Sequence, residues 1–168
     1  MKYPNILRRV LTLCVAFVLT GNAVTAQNSR ENQKKEQTEK ITTAIEHQDF
    51  TFRAQSILPL SGPRRELSSY YDMQVTADKV VSFLPYMGRI YMPPIDPSEG
   101  PLRFTSKDFV YMEKPGKKGG WNVSIQLKDV RTVQQCTLNI SDDGYATLEV
   151  RGNDRQPVTF YGYIVGNG

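Results

Sequence analysis

The sequence predicts a mainly β protein, α+β by count of elements, in which an N-terminal helix precedes an antiparallel β-barrel or two-layer β-sandwich of about 8–10 strands. Three observations support this prediction. After residue 49, apolar and polar residues alternate in short runs. The breaks between the runs carry the glycine, aspartate, asparagine or proline that hairpin turns use. The runs are not separated by the helices that a parallel sheet would need as crossovers.

Residues 1–26 have the order of a bacterial signal peptide. Basic residues precede an apolar run at 10–19, and Val24-Thr25-Ala26 ends in the small residues that a signal peptidase reads. We expect cleavage between Ala26 and Gln27 and export of the mature chain to the periplasm. The apolar run is shorter than the roughly 20 residues that a transmembrane helix needs, so we expect no transmembrane anchor. An association with the outer membrane stays open.

Removal of this segment changes the charge of the protein. The full chain has 21 Lys and Arg against 17 Asp and Glu. Three of the basic residues and none of the acidic ones lie in residues 1–26, which leaves 18 basic residues against 17 acidic ones. A nearly neutral chain lacks the basic excess of nucleic-acid-binding proteins. We therefore expect no nucleic-acid partner.

The mature chain divides into a polar helix at 27–48 and an antiparallel β domain at 49–168. The helix is dense in Gln, Glu, Lys and Arg, lacks Gly and Pro, and places Ile41, Ala44 and Ile45 on one side of its last turns. In the β domain, every second residue of each run is apolar, as in strands with one buried face. These residues are Phe50, Phe52 and Ala54; Tyr71, Met73 and Val75; Trp121, Val123, Ile125 and Leu127; Cys136, Leu138 and Ile140; Ala146, Leu148 and Val150; and Val158, Phe160, Gly162 and Ile164.

Turns and loops are predicted between these runs. Asp142-Asp143-Gly144, Gly116–Gly120 and Gly152–Gln156 have the composition of hairpin turns. Segments 58–63 and 92–97 are rich in proline and are expected to be loops.

Residue types that carry much of enzyme chemistry are scarce. His47 is the only histidine, and Cys136 is the only cysteine outside the signal segment, which excludes multi-imidazole sites and the usual structural zinc sites. We expect neither metal nor cofactor. His47 is expected to be solvated at the helix end, and Cys136 to be a small buried apolar side chain, with a reactive thiol as the alternative. No GxSxG motif is present, and the mature chain has no SxxK motif. We therefore expect a protein that is not an enzyme and has no catalytic residues.

The most distinctive segment is 80–94, in which aromatic residues, prolines and a glycine surround a single arginine, Arg89. Two apolar strands joined at Pro85–Gly88 would place Arg89 near the end of a sheet, beside Tyr86 or Tyr91. We therefore take Tyr86, Arg89 and Tyr91 as candidate ligand-binding residues. The alternative is that Arg89 pairs with a carboxylate or packs on a ring.

The same segment resembles a known family. The residues that carry the resemblance are Leu84-Pro-Tyr-Met-Gly-Arg-Ile-Tyr91, the Tyr-Tyr-Asp-Met-Gln-Val strand before it, and Trp121-Asn-Val-Ser-Ile and Gly144-Tyr-Ala-Thr-Leu after it. Together they are similar to the exported bacterial domain of unknown function 4251 (DUF4251). The resemblance implies a β-rich fold and a location in the envelope of a Gram-negative bacterium. It implies no activity and no catalytic residues.

These observations support three functions, in decreasing order. The first is a non-enzymatic periplasmic module that binds a small, partly apolar ligand or an envelope component. The second is a structural or protein-interaction domain, such as an inhibitor or an assembly factor. Its contact residues would be four tyrosines, if they cluster in space. The third is a carboxylate-based hydrolase, which would require two close carboxylates in a cleft. The four tyrosines are Tyr70, Tyr71, Tyr161 and Tyr163.

Overall fold

The computed structural model describes residues 32–91, 102–117 and 119–167. The predicted signal peptide, its cleavage site between Ala26 and Gln27, and the predicted proline-rich loop at 92–97 lie outside these residues. The described residues divide into two units, with the boundary between Gln37 and Thr38. The described residues of the first unit are helical, and the second unit contains helical residues 38–46 and the strands. Within the described part, no helix is both long enough and apolar enough to cross a membrane.

In the described part of the chain, nine antiparallel strands follow the helix and form a nearly closed barrel, which confirms the predicted fold class. Of the two predicted architectures, the barrel is the one observed. The strands are β1 Phe50–Pro59, β2 Arg65–Val75, β3 Val80–Leu84, β4 Leu102–Ser106, β5 Phe109–Pro115, β6 Trp121–Leu127, β7 Gln135–Ile140, β8 Tyr145–Arg151 and β9 Val158–Gly166.

The barrel is a meander in which strands that follow each other in the chain also pair with each other. The exception is β4 and β5, which are the two edges of the sheet, while β9 returns to pair with β1. The predicted turns at Asp142-Asp143-Gly144, Gly116–Gly120 and Gly152–Gln156 each lie between paired strands. Gly144 has a φ of 87°, a left-handed conformation that favours glycine.

The inward face of the sheet forms the hydrophobic core. Phe50, Phe52 and Phe160 are fully buried there, as the alternating pattern predicts. The three apolar residues of the last helical turns, Ile41, Ala44 and Ile45, belong to the same buried cluster. The Tyr111 hydroxyl on β5 donates a hydrogen bond of 3.0 Å to the Ile45 carbonyl oxygen. The end of the helix is therefore tied both to the core and to an edge strand.

Cys136 and His47 lie where the sequence predicts. Cys136 is fully buried on the inward face of β7, which confirms its role as a small core side chain. Burial raises the pKa of its thiol to about 12. His47 directly follows the last helical residue and is exposed.

The segment after β3 differs from the prediction of two joined strands. Residues 85–91 form a loop in which Ile90 makes a single β-bridge to Arg155. Pro85 has no backbone N–H with which to continue the β3 ladder, and the loop instead bonds to the segment 152–157 between β8 and β9. One strand and a docked loop therefore replace the predicted hairpin.

A buried ion pair holds the docked segment 152–157. The Arg155 Nε and Nη2 atoms donate to the two carboxylate oxygens of Asp154 at 2.8 and 2.9 Å. The Arg155 guanidinium lies 5.3 Å from the centre of the Tyr86 ring. The hydrogen bond from Arg155 holds the pKa of Asp154 below its usual value. We call this arrangement of Asp154, Arg155 and Tyr86 the loop latch.

A second polar contact fixes the corner between the two edge strands. The Asp129 carboxylate accepts hydrogen bonds from the Ser106 hydroxyl and from the backbone N–H groups of Lys107, at 2.7 Å, and Asp108, at 3.2 Å. These bonds hold the pKa of Asp129 below its usual value, with the Ser106 hydroxyl as the main cause. The turn from β4 to β5 therefore depends on an ionised carboxylate.

The loop latch predicts a large loss of stability when Arg155 is replaced. Arg155→Met leaves the Asp154 carboxylate buried without its partner, and we expect the free energy of unfolding to fall by about 3 kcal/mol. Urea denaturation followed by circular dichroism measures this change. Arg151→Met is the control, because Arg151 forms an exposed pair with Glu149 and its loss should change stability little. Equal stability of the two variants would contradict the latch.

The Asp129 corner predicts a pH-dependent contribution to stability. Because the pKa of Asp129 is lowered in the folded state, its stabilisation is complete above the unfolded-state pKa and is lost as the pH falls through the folded-state pKa. We expect Asp129→Ala to lower the Tm by a few degrees at neutral pH and to have little effect in acid. Asp108→Ala removes an exposed ion pair with Lys128 and should change the Tm little at either pH. A loss of Tm that is the same at both pH values would contradict this role.

Burial of Cys136 predicts a thiol that does not react in the folded protein. A chain of residues 27–168 should show almost no reaction with Ellman's reagent in native buffer and one thiol per chain in denaturant. Rapid stoichiometric reaction without denaturant would show that the β7 side chains open to solvent far more often than the core packing implies.

Candidate functional site

The predicted site residues Tyr86, Arg89 and Tyr91 lie in the docked loop. The Tyr86 hydroxyl is within hydrogen-bond distance of the carbonyl oxygens of Arg89, at 2.9 Å, and Gln156, at 3.1 Å. Burial raises the pKa of Tyr86. This side chain therefore serves the loop latch, and its hydroxyl is already engaged.

Arg89 and Tyr91 are anchored through their backbones, and their side chains are exposed. The Arg89 N–H donates to the Gln156 Oε1 atom at 3.3 Å, and the Gln156 N–H donates back to the Arg89 carbonyl oxygen at 3.1 Å. The Tyr91 N–H donates to the Asp154 carbonyl oxygen at 2.6 Å. The alternative role predicted for Arg89 was a contact with a carboxylate or an aromatic ring. Arg155 makes both of these contacts, with Asp154 and with Tyr86. A ligand-binding role of the three residues stays a prediction.

A cleft of about 610 Å³ opens elsewhere, on the outward face of β1, β2 and β9. Four of its side chains end in planar polar groups, three are tyrosines, and the others are small, hydroxyl-bearing or aliphatic. The planar groups belong to Arg53, Gln55, Glu66 and Asp72; the tyrosines are Tyr70, Tyr71 and Tyr163; and the remaining residues are Ala54, Leu67, Ser68 and Ser69.

The cleft forms where β1 and β2 do not match in length. Ala54 pairs with Tyr71, and Ser56 pairs with Glu66, so that one residue of β1 lies opposite four residues of β2, 67–70. The excess residues have no partner in β1, and β3 pairs only with residues 72–75 of β2. An irregularity of this kind leaves residues unpaired, disrupts the ladder locally and bends the strand. We call residues 67–70 the β2 bulge.

The floor of the cleft is a row of outward side chains on neighbouring strands. Arg53 on β1 lies directly opposite Asp72 on β2 and Tyr163 on β9. Neither Arg53 nor Asp72 forms an ion pair with another residue in the described ranges. Both charged groups line the cleft.

Aromatic contacts fix the sides of the cleft. The Tyr71 ring stacks on Phe83 with a centroid distance of 5.7 Å, and the Arg103 guanidinium lies 4.2 Å from the centre of the Phe83 ring. On the other side, Arg64 lies 4.6 Å from the centre of the Tyr161 ring and pairs with Glu66. These contacts restrict the side chains before any ligand binds.

The four tyrosines that the sequence analysis named as contact residues cluster at this place. Tyr70, Tyr71 and Tyr163 line the cleft, and Tyr161 lies two residues from Tyr163 on the same face of β9. The sequence analysis missed the polar residues between them, Arg53, Gln55, Glu66 and Asp72. A signal was present, because the alternating pattern before Tyr71 breaks down in Leu67-Ser68-Ser69-Tyr70.

Metal binding finds no support in the described part of the chain. There, no three side chains of the types His, Cys, Asp and Glu lie close enough together to hold an ion. The side chains that line the cleft can form hydrogen bonds and aromatic contacts.

Comparisons with known proteins agree with the resemblance seen in the sequence. The domain of unknown function DUF4251 matches residues 32–164. A crystal structure of a DUF4251 family protein from Bacteroides eggerthii DSM 20697 has the same fold, with a TM-score of 0.58 at 17% sequence identity over 77% of this chain and 87% of that one. No curated protein shows significant sequence similarity to the chain. Because the family match covers most of the sequence, the chain belongs to the DUF4251 family.

Proposed function

We propose that this protein is an exported, non-enzymatic binding module of a Gram-negative cell envelope, and that it holds its ligand in the cleft beside the β2 bulge. The observation that carries the proposal is the cleft itself. Its volume of about 610 Å³ lies within the roughly 300–1,000 Å³ typical of ligand sites. Export is supported by the signal-peptide pattern of residues 1–26.

The location of the cleft argues for a ligand outside the barrel. The inward side chains of the strands pack into one apolar cluster, whereas the cleft lies on the outward face. Its lining is also more polar than the small, partly apolar ligand of the sequence analysis would require. An envelope component rich in polar groups fits this lining better.

The carboxylates of the cleft support binding over hydrolysis. Glu66 and Asp72 both line it, which meets part of the condition for a carboxylate-based hydrolase. A general acid, however, needs a carboxyl group kept protonated by an apolar, water-excluding site. The Glu66 side chain is 75% exposed and lies 3.5 Å from the Arg64 Nε atom. This solvated environment beside an arginine differs from the apolar site that a general acid needs.

The clustered tyrosines favour a second candidate, a protein-interaction domain. Tyr70 is 90% exposed on the β2 bulge, and tyrosine is enriched among the residues that dominate protein interfaces. The two candidates differ in what should occupy the cleft. A protein partner would be destroyed by protease, and an envelope ligand of other chemistry would survive.

We predict that binding is localised to the cleft. When ¹⁵N-labelled residues 27–168 are titrated with a protease-treated envelope extract of a Bacteroides host, NMR signals of residues 53, 70–72 and 163 should shift. Tyr163→Ala should raise the amount of extract needed for half-maximal shift at least about tenfold, which corresponds to 1.4 kcal/mol of binding free energy. Tyr145→Ala is the matched control, since Tyr145 is the exposed cross-strand neighbour of Tyr163 outside the cleft lining.

The alternatives have their own signatures in the same titration. Shifts that require an extract not treated with protease would support the protein-interaction domain. Shifts confined to residues 86–91 would move the site to the docked loop and contradict the proposed cleft.

A further inference from the structure

We propose that the ligand of the cleft is a glycan, bound with a sugar ring against Tyr163 and its hydroxyl groups on the planar side chains around it. This inference rests on the proposed function and adds the chemical class of the ligand. It follows from the kinds of side chain that line the cleft and from their arrangement.

The planar polar groups match the hydroxyl groups of a sugar. A sugar hydroxyl both donates and accepts hydrogen bonds, and neighbouring hydroxyls on the ring present pairs of such groups. The Arg53 guanidinium offers paired donors, the carboxylates of Glu66 and Asp72 offer paired acceptors, and the Gln55 amide offers one of each. The lining therefore offers both donors and acceptors to a hydroxyl-rich ligand.

The tyrosines match the other surface of a sugar ring. Besides its hydroxyl rim, a pyranose presents a face of C–H groups, which packs on an aromatic ring. Tyrosine suits such contacts because its ring is apolar while its hydroxyl can remain hydrogen-bonded. Tyr163 is half-buried beside Arg53, so that a sugar ring resting on Tyr163 would place its hydroxyls near the Arg53 and Asp72 side chains.

Preorganisation also favours this class of ligand. Each sugar contact is weak because it replaces a hydrogen bond to water, and the binding surface must therefore lose little freedom when the ligand arrives. Tyr71 is already stacked on Phe83, and β-strands carry both Arg53 and Tyr163. Among the described residues, Arg53 and Asp72 form no ion pair that a ligand would have to displace.

Other ligand classes fit less well. An anionic ligand would meet two carboxylates against one guanidinium in the cleft lining. A lipid or an apolar peptide anchor would need an aliphatic pocket, and Ala54 and Leu67 are the aliphatic residues of this lining. The cleft also opens along the outward face of the sheet. An internal segment of a polymer can therefore bind there without a chain end entering the cleft.

Periodate oxidation tests the glycan directly. Periodate cleaves the carbon–carbon bonds between neighbouring hydroxyl groups of sugars, and the excess reagent is removed before the protein is added. We expect the protease-treated envelope extract to shift the NMR signals of residues 53, 72 and 163 before oxidation. After oxidation, these shifts should be smaller by at least about nine-tenths. Asp72→Asn and Tyr163→Ala should each weaken binding at least about tenfold, while Tyr145→Ala should not.

The outcomes separate this inference from the proposed function. If the oxidised extract still shifts the cleft signals, the ligand is not a glycan of this kind, while the cleft remains the binding site. If the unoxidised extract shifts none of the cleft signals, both proposals are overturned. A neutral glycan also predicts that raising the salt concentration hardly changes the affinity, whereas a strong decrease would indicate a charged ligand.

Discussion

The cleft depends on one constraint, the mismatch in length between β1 and β2. A regular antiparallel pair would align these strands residue by residue and leave a flat outward face. The four residues of the β2 bulge opposite one residue of β1 interrupt this alignment, and the ladder resumes on both sides of the interruption. Residues 67–70 line one side of the cleft. The pairing of β1 with β9 also shifts in register between Ala54 and Ser56, but Arg53 still lies directly opposite Tyr163 on the cleft floor. An irregularity of a few residues thus turns a solvated sheet face into a concave surface.

This irregularity is carried by a stable frame. The core cluster draws on the inward faces of the strands and on the last turns of the helix, and none of its largest side chains reaches the cleft. The loop latch and the Asp129 corner secure connections that lie away from the bulge. The mismatch has a local cost, because the buried Ser56 hydroxyl beside the bulge has no hydrogen-bond partner in the described part of the chain. Such local costs are common at functional sites.

Much of the fold could be predicted from the sequence because its signals are local. Alternation within Trp121–Leu127 or Val158–Gly166 identifies a strand and its buried face without reference to any other segment, and Gly144 marks a turn by its own chemistry. The distinction between barrel and sandwich could not be predicted, because it depends on whether β9 pairs with β1. The cleft is non-local in the same way: Arg53, Asp72 and Tyr163 come from three strands, and no spacing along the chain brings them together. The composition around Arg89 favours that residue as a candidate. The buried contacts of this region are made instead by Arg155, which no pattern in the sequence distinguishes.

Amide hydrogen exchange of a chain of residues 27–168 tests the central claim that the β2 bulge interrupts the ladder. The account predicts that the amides of residues 67–70 exchange at least about tenfold faster than those of residues 72–75 in the same strand, because the former lack a partner in β1 and β3. Equal protection along the whole of β2 would show a continuous ladder, and the cleft with its row of polar and aromatic side chains would then not exist in solution.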